Sequence, residues 1–378
     1  MRVYPGIVVV FVAGLFNSLP ASDAAEKTFG PDPKVYQETV AKAIQYLTIA
    51  QAQDGSVSAR IGIGPTALAT LGLLRSGRGA ADPQVAKGLK YLVDYVQSDG
   101  GIYSPRSRIS TYETCIALVC FQEANKDGTY DKIIRQADKF IRSGQWDESK
   151  QKEKSDVGYG GAGYGGKTRP DLSNTAFMID ALKAAGAKPD DEAIQRALIF
   201  VSRCQNLESE YNSTPFAAKV NDGGFYYTPA ESKQGQDRQT PNGGLRSYGS
   251  MTYSGLKSMV YAGLKKDDPR VKAASTWIRK NYDVKSNPGM GNSGLYYYYL
   301  TFAKALDALG ENEVVDGNGV KHDWRRELVE ELARRQKPNG SWVNTNNQWM
   351  EGDPNLATAF ALVAMSYCRP VPALHKAP

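Results

Sequence analysis

Two kinds of helical segment alternate along the chain. The first kind is amphipathic, with apolar residues every three or four positions and a charged opposite face, as in the stripe Val85, Leu89 and Leu92. A helix of this kind covers an apolar surface on one side and meets water on the other. Six such segments are predicted, near residues 35–52, 83–97, 130–143, 189–205, 268–282 and 323–336.

The segments between them are apolar on most sides, as in Ala67 to Leu74 and Ala357 to Met365. A helix that is apolar all round is a buried helix. Near the start of these segments a Thr or Ser precedes a small residue and then a large apolar one. The pattern recurs at Thr66, Thr114, Thr175, Ser254, Thr358 and, less clearly, Thr301. Three segments end in glycine, a signal for a helix C-terminus, at Gly77, Gly186 and Gly310.

Six amphipathic and six buried helices therefore alternate, and one pair alone cannot bury its apolar surface. Neighbouring pairs must stack, and the buried helices need cover on every side. A closed double ring provides that cover, whereas an open superhelix needs polar capping repeats, and none is evident. The sequence thus predicts an all-α (α/α)6 toroid over residues 35–369, with six inner and six outer helices and no strand pattern.

A second signature, in which a Gln precedes a tight glycine turn, follows several outer segments. It occurs at Gln53-Asp54-Gly55-Ser56, at Gln97 to Gly101 and at Gln336 to Trp342. With the Tyr-Leu pairs upstream, this pattern resembles the QW-type repeat of squalene–hopene and oxidosqualene cyclases. The alternating helices likewise resemble the α/α toroid of terpenoid cyclases and protein prenyltransferase β subunits, over about residues 35–368.

The resemblance extends to the catalytic motif of the bacterial cyclases. These carry Asp-x-Asp-Asp-Thr-Ala at the start of an inner helix, where this chain has Asp171-Leu172-Ser173-Asn174-Thr175-Ala176. Ser173 stands in place of the family's substrate-protonating acid, and a serine hydroxyl is far too weak an acid for that step. The resemblance therefore implies that ordinary cyclisation is lost or has moved to another residue, which leaves enzymatic activity uncertain.

Two carboxyls are candidates for a relocated catalytic acid. Asp171 opens the motif, and Glu113 stands directly before Thr114, as Asn174 does before Thr175. The alternative for Glu113 is that it caps or salt-bridges the start of its own helix, where a carboxylate suits the helix dipole.

Glycine-rich loops precede the inner segments, and the longest insertion is 206–248. We expect these loops to gather on one rim and to bring tyrosines to the mouth of a central cavity. Tyrosine binds amphipathic and sugar-like surfaces well, although the same side chains also pack between helices. The predicted ligand-binding residues are Tyr112, Tyr164, Arg169, Ser173, Asn174, Arg246, Tyr248, Tyr253 and Tyr296.

Composition narrows the classes of partner. The net charge is +6, but the densest basic clusters, such as Arg325-Arg326, lie on an amphipathic helix beside glutamates. A solvated helix face explains them, so no nucleic-acid partner is predicted. The stretch Gly161 to Thr168 formally matches a phosphate-binding loop, yet no buried strand precedes it and Pro170 follows. No nucleotide is therefore expected.

Metal and disulfide chemistry are also disfavoured. The chain has two histidines, and His322 falls in a polar turn that we expect to be exposed. With so few nitrogen and sulfur ligands we predict no zinc site and no cofactor. The four cysteines do not resemble a disulfide framework and favour buried free thiols, with the pairing of Cys204 and Cys368 left open.

The N-terminus has the features of a leader. Arg2 precedes the apolar run Ile7 to Phe16, and the small residues Ser22 and Ala24 follow. We therefore predict a signal peptide over 1–24, a linker over 25–34, a Pro-rich tail over 370–378, and export to the periplasm or medium. An uncleaved membrane anchor is the alternative. No other segment is long and apolar enough to span a membrane.

Three functions are compatible with this sequence. The first is a cyclase-like toroid that binds an isoprenoid or other small apolar or amphipathic ligand in its central cavity. The second is a secreted carbohydrate-active hydrolase or lyase, which would need two opposed carboxylates or a base with a calcium site. The third is a non-enzymatic scaffold that binds through the Tyr- and Gly-rich rim.

Overall fold

The computed structural model describes residues 28–165, 168–234, 238–369 and 371–372. The six outer helices are α1 (Pro33–Ala50), α3 (Pro83–Val93), α5 (Asp131–Gly144), α7 (Glu192–Arg203), α10 (Pro269–Lys280) and α12 (Trp324–Arg335). The six inner helices are α2 (Gly64–Arg75), α4 (Ser110–Ala124), α6 (Leu172–Ala184), α9 (Gly249–Tyr261), α11 (Leu295–Leu309) and α13 (Pro354–Met365). A short helix, α8 (Ala217–Val220), lies in the long insertion. Single 3₁₀ turns occur at Ala59–Ile61, Glu148–Lys150 and Gln348–Met350.

The inner helices form a closed ring. Each packs on the next in chain order, from α2 through α4, α6, α9 and α11 to α13, and α13 then packs on α2. The first outer helix, α1, contacts both α12 and α13. Strands β1 (Thr28–Phe29) and β4 (Val371–Pro372) pair antiparallel and join the two ends of the described chain. The predicted all-α toroid is therefore confirmed.

The burial pattern explains why the ring closes. Every residue from Leu356 to Met365 of α13 and from Gly64 to Leu73 of α2 is buried. By contrast, α3 buries the stripe that includes Val85, Leu89 and Leu92, while its charged face stays in water. Five outer helices begin with an aspartate whose carboxylate accepts backbone N–H bonds, at Asp32, Asp82, Asp191, Asp268 and Asp323.

One difference from the predicted all-helical pattern is a hairpin of strands β2 (Glu313–Val315) and β3 (Lys321–Asp323). Three-residue strands are too short for the alternation that signals a strand in a sequence. His322 lies in β3 and was wrongly expected to be exposed. Its ring is largely buried and stacks on Tyr282 at 4.3 Å, and its Nδ1 atom is 2.8 Å from Glu327 Oε1.

Glutamines tie neighbouring outer helices together. In four cases the side-chain Nε2 donates both to a glycine carbonyl in the following loop and to a carbonyl of the adjacent outer helix. The four are Gln51, Gln145, Gln205 and Gln336, at 2.8–3.1 Å. The glutamine of the first signature is thus Gln51 rather than Gln53. Gln97 differs, because its amide donates to the carbonyls of Tyr95 and Tyr103.

Threonine hydroxyls link five of the inner helices to the loops that precede them by hydrogen bonds. Each hydroxyl accepts a backbone N–H from the loop before its helix, in the pairs Thr66–Val57, Thr114–Ile102, Thr175–Ala162, Thr252–Phe225 and Thr358–Trp342, at 2.9–3.0 Å. The fourth member is Thr252, two residues before the predicted Ser254. The Thr301 hydroxyl instead donates within its own helix, while the hydroxyl of Tyr298 reaches the Asp283 carbonyl at 2.6 Å.

The predicted end signals and thiols are found in the structure. Gly77, Gly186 and Gly310 have φ of 94°, 99° and 69°, the left-handed conformation of a helix C-terminus. All four cysteines are buried free thiols, including Cys204 and Cys368.

Across the described part of the chain, no helix has the length and apolarity to cross a bilayer. The predicted leader and most of the tail lie outside the described residues.

Removing a threonine hydroxyl of this set should destabilise the protein. Thr175→Val and Thr358→Val leave the buried N–H of Ala162 or Trp342 without an acceptor. We expect each to lower the free energy of unfolding by about 1–3 kcal/mol, measured by urea denaturation. The matched control, Thr276→Val, removes an exposed hydroxyl that bonds only within α10, so it should change stability by less than about 0.5 kcal/mol. Equal losses in all three variants would contradict this role.

Candidate functional site

A cavity of about 220 Å³ lies where the inner helices begin. All six inner helices contribute residues from their N-terminal halves: Gly64, Pro65, Tyr112, Ser173, Phe177, Ser250, Met251, Tyr297, Leu356 and Phe360. Loops complete the wall with Ile61, Ile109, Tyr164, Tyr227, Lys233, Tyr248, Gly294, Trp349, Met350 and Glu351. This is the central cavity that a closed toroid implies.

Aromatic rings form one side of the cavity. Tyr112 meets Phe177 edge-on with ring centroids 5.0 Å apart, and Phe177 lies 5.9 Å from Tyr297. Phe360 continues the contact at 6.2 Å from Tyr297. We call these four residues the aromatic layer. Their faces carry the negative part of the ring quadrupole and suit apolar or cationic groups.

Ser173, which the resemblance to bacterial cyclases aligns with their catalytic acid, lines the cavity. Its hydroxyl lies 2.9 Å from the hydroxyl of Tyr297, which is also 3.4 Å from that of Ser254. The position thus offers a neutral hydrogen-bonding group and no acidic proton.

Asp171 caps its own helix. It is the N-cap of α6, and its Oδ1 accepts the backbone N–H of Asn174 at 2.9 Å. Its Oδ2 accepts the side-chain amide of Asn174 at 2.7 Å, and the Tyr227 hydroxyl also donates to this carboxyl. Burial raises the pKa of Asp171 despite these donors. Asp171 is not among the residues that line the cavity.

Glu113 caps a neighbouring helix. Its Oε1 accepts the backbone N–H of Ile63, directly before α2, at 2.9 Å. Burial raises the pKa of Glu113, and its carboxyl does not line the cavity. Glu113 is thus a cap, but of the adjacent helix α2 rather than of its own helix α4 as the alternative had it.

A third carboxyl, Glu351, does line the cavity and was missed by the sequence analysis. Its oxygens accept the backbone N–H groups of Tyr296 and Tyr297 at 3.1 and 2.8 Å, and the side-chain amide of Asn344 at 2.7 Å. Burial raises the pKa of Glu351, while these three donors lower it. One feature of the sequence could have indicated that a distant side chain caps α11: the helix starts after Gly294, which has no side chain to accept its N–H bonds.

The other predicted residues divide between the cavity and its surroundings. Tyr112, Tyr164, Ser173 and Tyr248 line the cavity, as does Tyr227. Asn174, Tyr253 and Tyr296 are buried in the surrounding packing, where Tyr253 contacts Phe302 and Tyr296 contacts Tyr299. Arg169 pairs with Glu231, and Arg246 lines a separate polar pocket. Besides Glu351, Lys233 and Trp349 also line the cavity and were not predicted from the sequence.

An ion cluster lies behind the aromatic layer. Asp180 of α6 receives the ammonium groups of Lys257 of α9 and Lys304 of α11, all three being largely buried. Both lysines lower the pKa of Asp180, and burial lowers that of Lys257 to about 8. The cluster joins three consecutive inner helices. Within the described ranges, no group of His, Cys, Asp and Glu side chains is arranged to hold a metal ion.

Replacing Asp171 should have an effect that depends on pH. Because the folded-state pKa is raised, the folded protein binds more protons than the unfolded chain above about pH 4. The carboxyl's contribution to stability is therefore full at low pH and declines as pH rises through the folded-state pKa. Asparagine still caps the helix but does not titrate. By urea denaturation, the stability of wild type relative to Asp171→Asn should fall as the pH is raised above about 4.

Asp171→Ala provides the control for capping. It removes the cap as well as the charge, and we expect it to be less stable than Asp171→Asn by about 1–2 kcal/mol at every pH. A difference between wild type and Asp171→Asn that stays flat with pH would contradict the raised pKa.

Comparison with known proteins supports the fold. The family profile described as squalene-hopene cyclase C-terminal domain matches residues 63–230. No curated protein sequence gives a significant match. The type II terpene cyclase MstE from Scytonema is similar in structure, with a TM-score of 0.54 and 13% identity over 88% of this chain and 98% of that one.

Two enzymes of other classes are also similar in structure. A polysaccharide lyase has a TM-score of 0.51 at 12% identity over 88% of this chain and 97% of that one. A D-mannose isomerase has a TM-score of 0.51 at 12% identity, with 92% and 99% covered. At such identities these likenesses show the fold alone. Together with the profile over residues 63–230, they show that this chain has the α/α toroid fold, which it shares with the type II terpene cyclase.

Proposed function

We propose that this protein binds an apolar, isoprenoid-type ligand in its central cavity and does not protonate it. Ligand sites are concave, mostly apolar, and carry a few placed polar groups. The cavity fits that description, because apolar and aromatic side chains dominate its wall and the aromatic layer forms one side. A polyene lies well against aromatic faces.

The observation that carries the proposal is the state of the acidic groups around the cavity. Ser173 occupies the position of the acid and contacts Tyr297, and the carboxyls of Asp171 and Glu113 are outside the lining. The Glu351 carboxyl does line the cavity, but it accepts two N–H bonds at the start of α11. All three carboxyls accept N–H bonds at helix starts and so serve the ring as helix caps, although burial raises the pKa of each.

Glycoside hydrolysis finds less support. It needs two carboxyl groups facing one another across the sugar. The polar pocket of about 210 Å³ beside Arg246 and Trp277 contains a single lining carboxylate, Asp222, within the described residues. That carboxylate already accepts bonds from Ser247 and Trp277.

The predicted leader adds a proposed location. Residues 1–24 favour export, and the mature protein would then meet its ligand in the periplasm or outside the cell.

Farnesol, an uncharged C15 isoprenoid, should stabilise the protein against heat. At a concentration about 100 times its Kd, the gain is about 2.7 kcal/mol and appears as a rise in Tm. Ser173→Phe places a ring in the cavity and should abolish the rise. Ser143→Phe, on the exposed end of α5, is the matched control and should keep it. No rise in the wild type at saturating farnesol would refute binding.

Product analysis tests the second half of the proposal. Mass spectrometry and chromatography should recover farnesol unchanged after prolonged incubation with the protein. A cyclic product that depends on the protein would show that protonation has moved to another group. Loss of that product in Glu351→Gln would then assign the acid to Glu351.

A further inference from the structure

Among the described residues, one cationic side chain lines the cavity. Lys233, from the insertion 206–248, is the single Lys or Arg among the lining residues. Its Nζ lies 3.6 Å from the centroid of the Tyr227 ring and 5.8 Å from that of Trp349. Both rings also line the cavity, so the ammonium group is held at its wall by aromatic faces.

Lys233 differs from the other cations near it. Arg169 and Arg238 both pair with Glu231, and the buried Lys257 pairs with Asp180. Lys233 has no ion-pair partner in residues 28–165, 168–234 and 238–369. Lys233 is partly buried, and removing a cation from water costs free energy unless a counter-charge accompanies it.

The nearby carboxyls are occupied by other donors. Glu351, which shares the cavity, accepts the N–H groups of Tyr296 and Tyr297. Asp171 attracts Lys233 through space, but its oxygens accept bonds from Asn174 and Tyr227. A counter-ion for Lys233 can therefore come from a ligand.

We propose that the cavity takes an amphipathic ligand with a single carboxylate, which pairs with Lys233 while the apolar tail lies against the aromatic layer. This inference rests on the proposed function and names the head group of its ligand. One lysine matches one negative charge. A diphosphate would need further cations, and the nearby Arg169 and Arg238 are already paired with Glu231.

Three probes with the same tail test this inference: farnesol, farnesoic acid and farnesyl diphosphate. Calorimetric titration of the wild type should show the acid binding about 10- to 100-fold more tightly than the alcohol, as expected for one charge-assisted bond out of water. The acid should also bind more tightly than the diphosphate. Equal affinities for acid and alcohol, or tightest binding of the diphosphate, would overturn the proposal.

Variants assign the preference to Lys233. Lys233→Met should reduce the affinity for the acid to within about 3-fold of that for the alcohol, with little change in the affinity for the alcohol. Lys233→Arg should retain most of the preference for the acid. Lys219→Met is the matched control, since Lys219 lies over Phe216 in the same insertion but is exposed. It should change neither affinity.

The outcomes separate this inference from the proposed function. If Lys233→Met lowers the affinities for acid and alcohol equally, Lys233 contributes to the shape of the cavity wall and does not bind the carboxylate. The inference is then wrong, while the proposal of apolar binding stands. If the wild type binds neither farnesol nor farnesoic acid, the proposed function fails and the inference with it.

Discussion

Contact between the first and last inner helices, α2 and α13, is the constraint on which the rest of this structure depends. Both helices are buried on all sides, so neither can border water without exposing apolar residues. Burial of apolar surface favours folding by about 25 cal/mol per Å², which makes an open arc of such helices costly. When the ring closes, the apolar surfaces of α2 and α13 bury each other, and the ring encloses a central space.

Closure also brings the positively polarised starts of the inner helices together, and buried carboxyls compensate this charge. All six inner helices start around the cavity, and helix starts present N–H groups without intrahelical partners and a partial positive charge. Asp171, Glu113 and Glu351 accept such N–H groups for α6, the start of α2 and α11. Carboxyls that resemble catalytic candidates in the sequence are thus part of the scaffold that keeps the cavity wall in place.

The cavity wall combines a serine hydroxyl with a cation that has no ion-pair partner among the described residues. Ser173 lines the cavity and shares a hydrogen bond with Tyr297. Lys233 lies at the wall between Tyr227 and Trp349. Together these features favour recognition of an amphipathic molecule over acid-initiated chemistry.

The sequence by itself determined the alternation of buried and amphipathic helices, their approximate bounds and the glycine ends, because these depend on local periodicity and turn chemistry. It also located Ser173, Tyr112, Tyr164 and Tyr248 near the cavity, since each lies at or before the start of an inner helix. The register of the repeats was harder. The predicted members Gln53 and Ser254 lie two residues after the actual ones, Gln51 and Thr252. Similar residues stand close together at both places, and only the hydrogen bonds identify the right one.

The tertiary structure decided which acids are caps and which residues share the cavity. Glu351 bonds to residues 54 and 55 positions away, and Glu113 to one 50 positions away. Lys233 reaches the site from a long insertion with no helical period. Contacts of this kind leave no periodic trace in a sequence, because they arise only when the ring closes and brings loops from separate repeats to one rim.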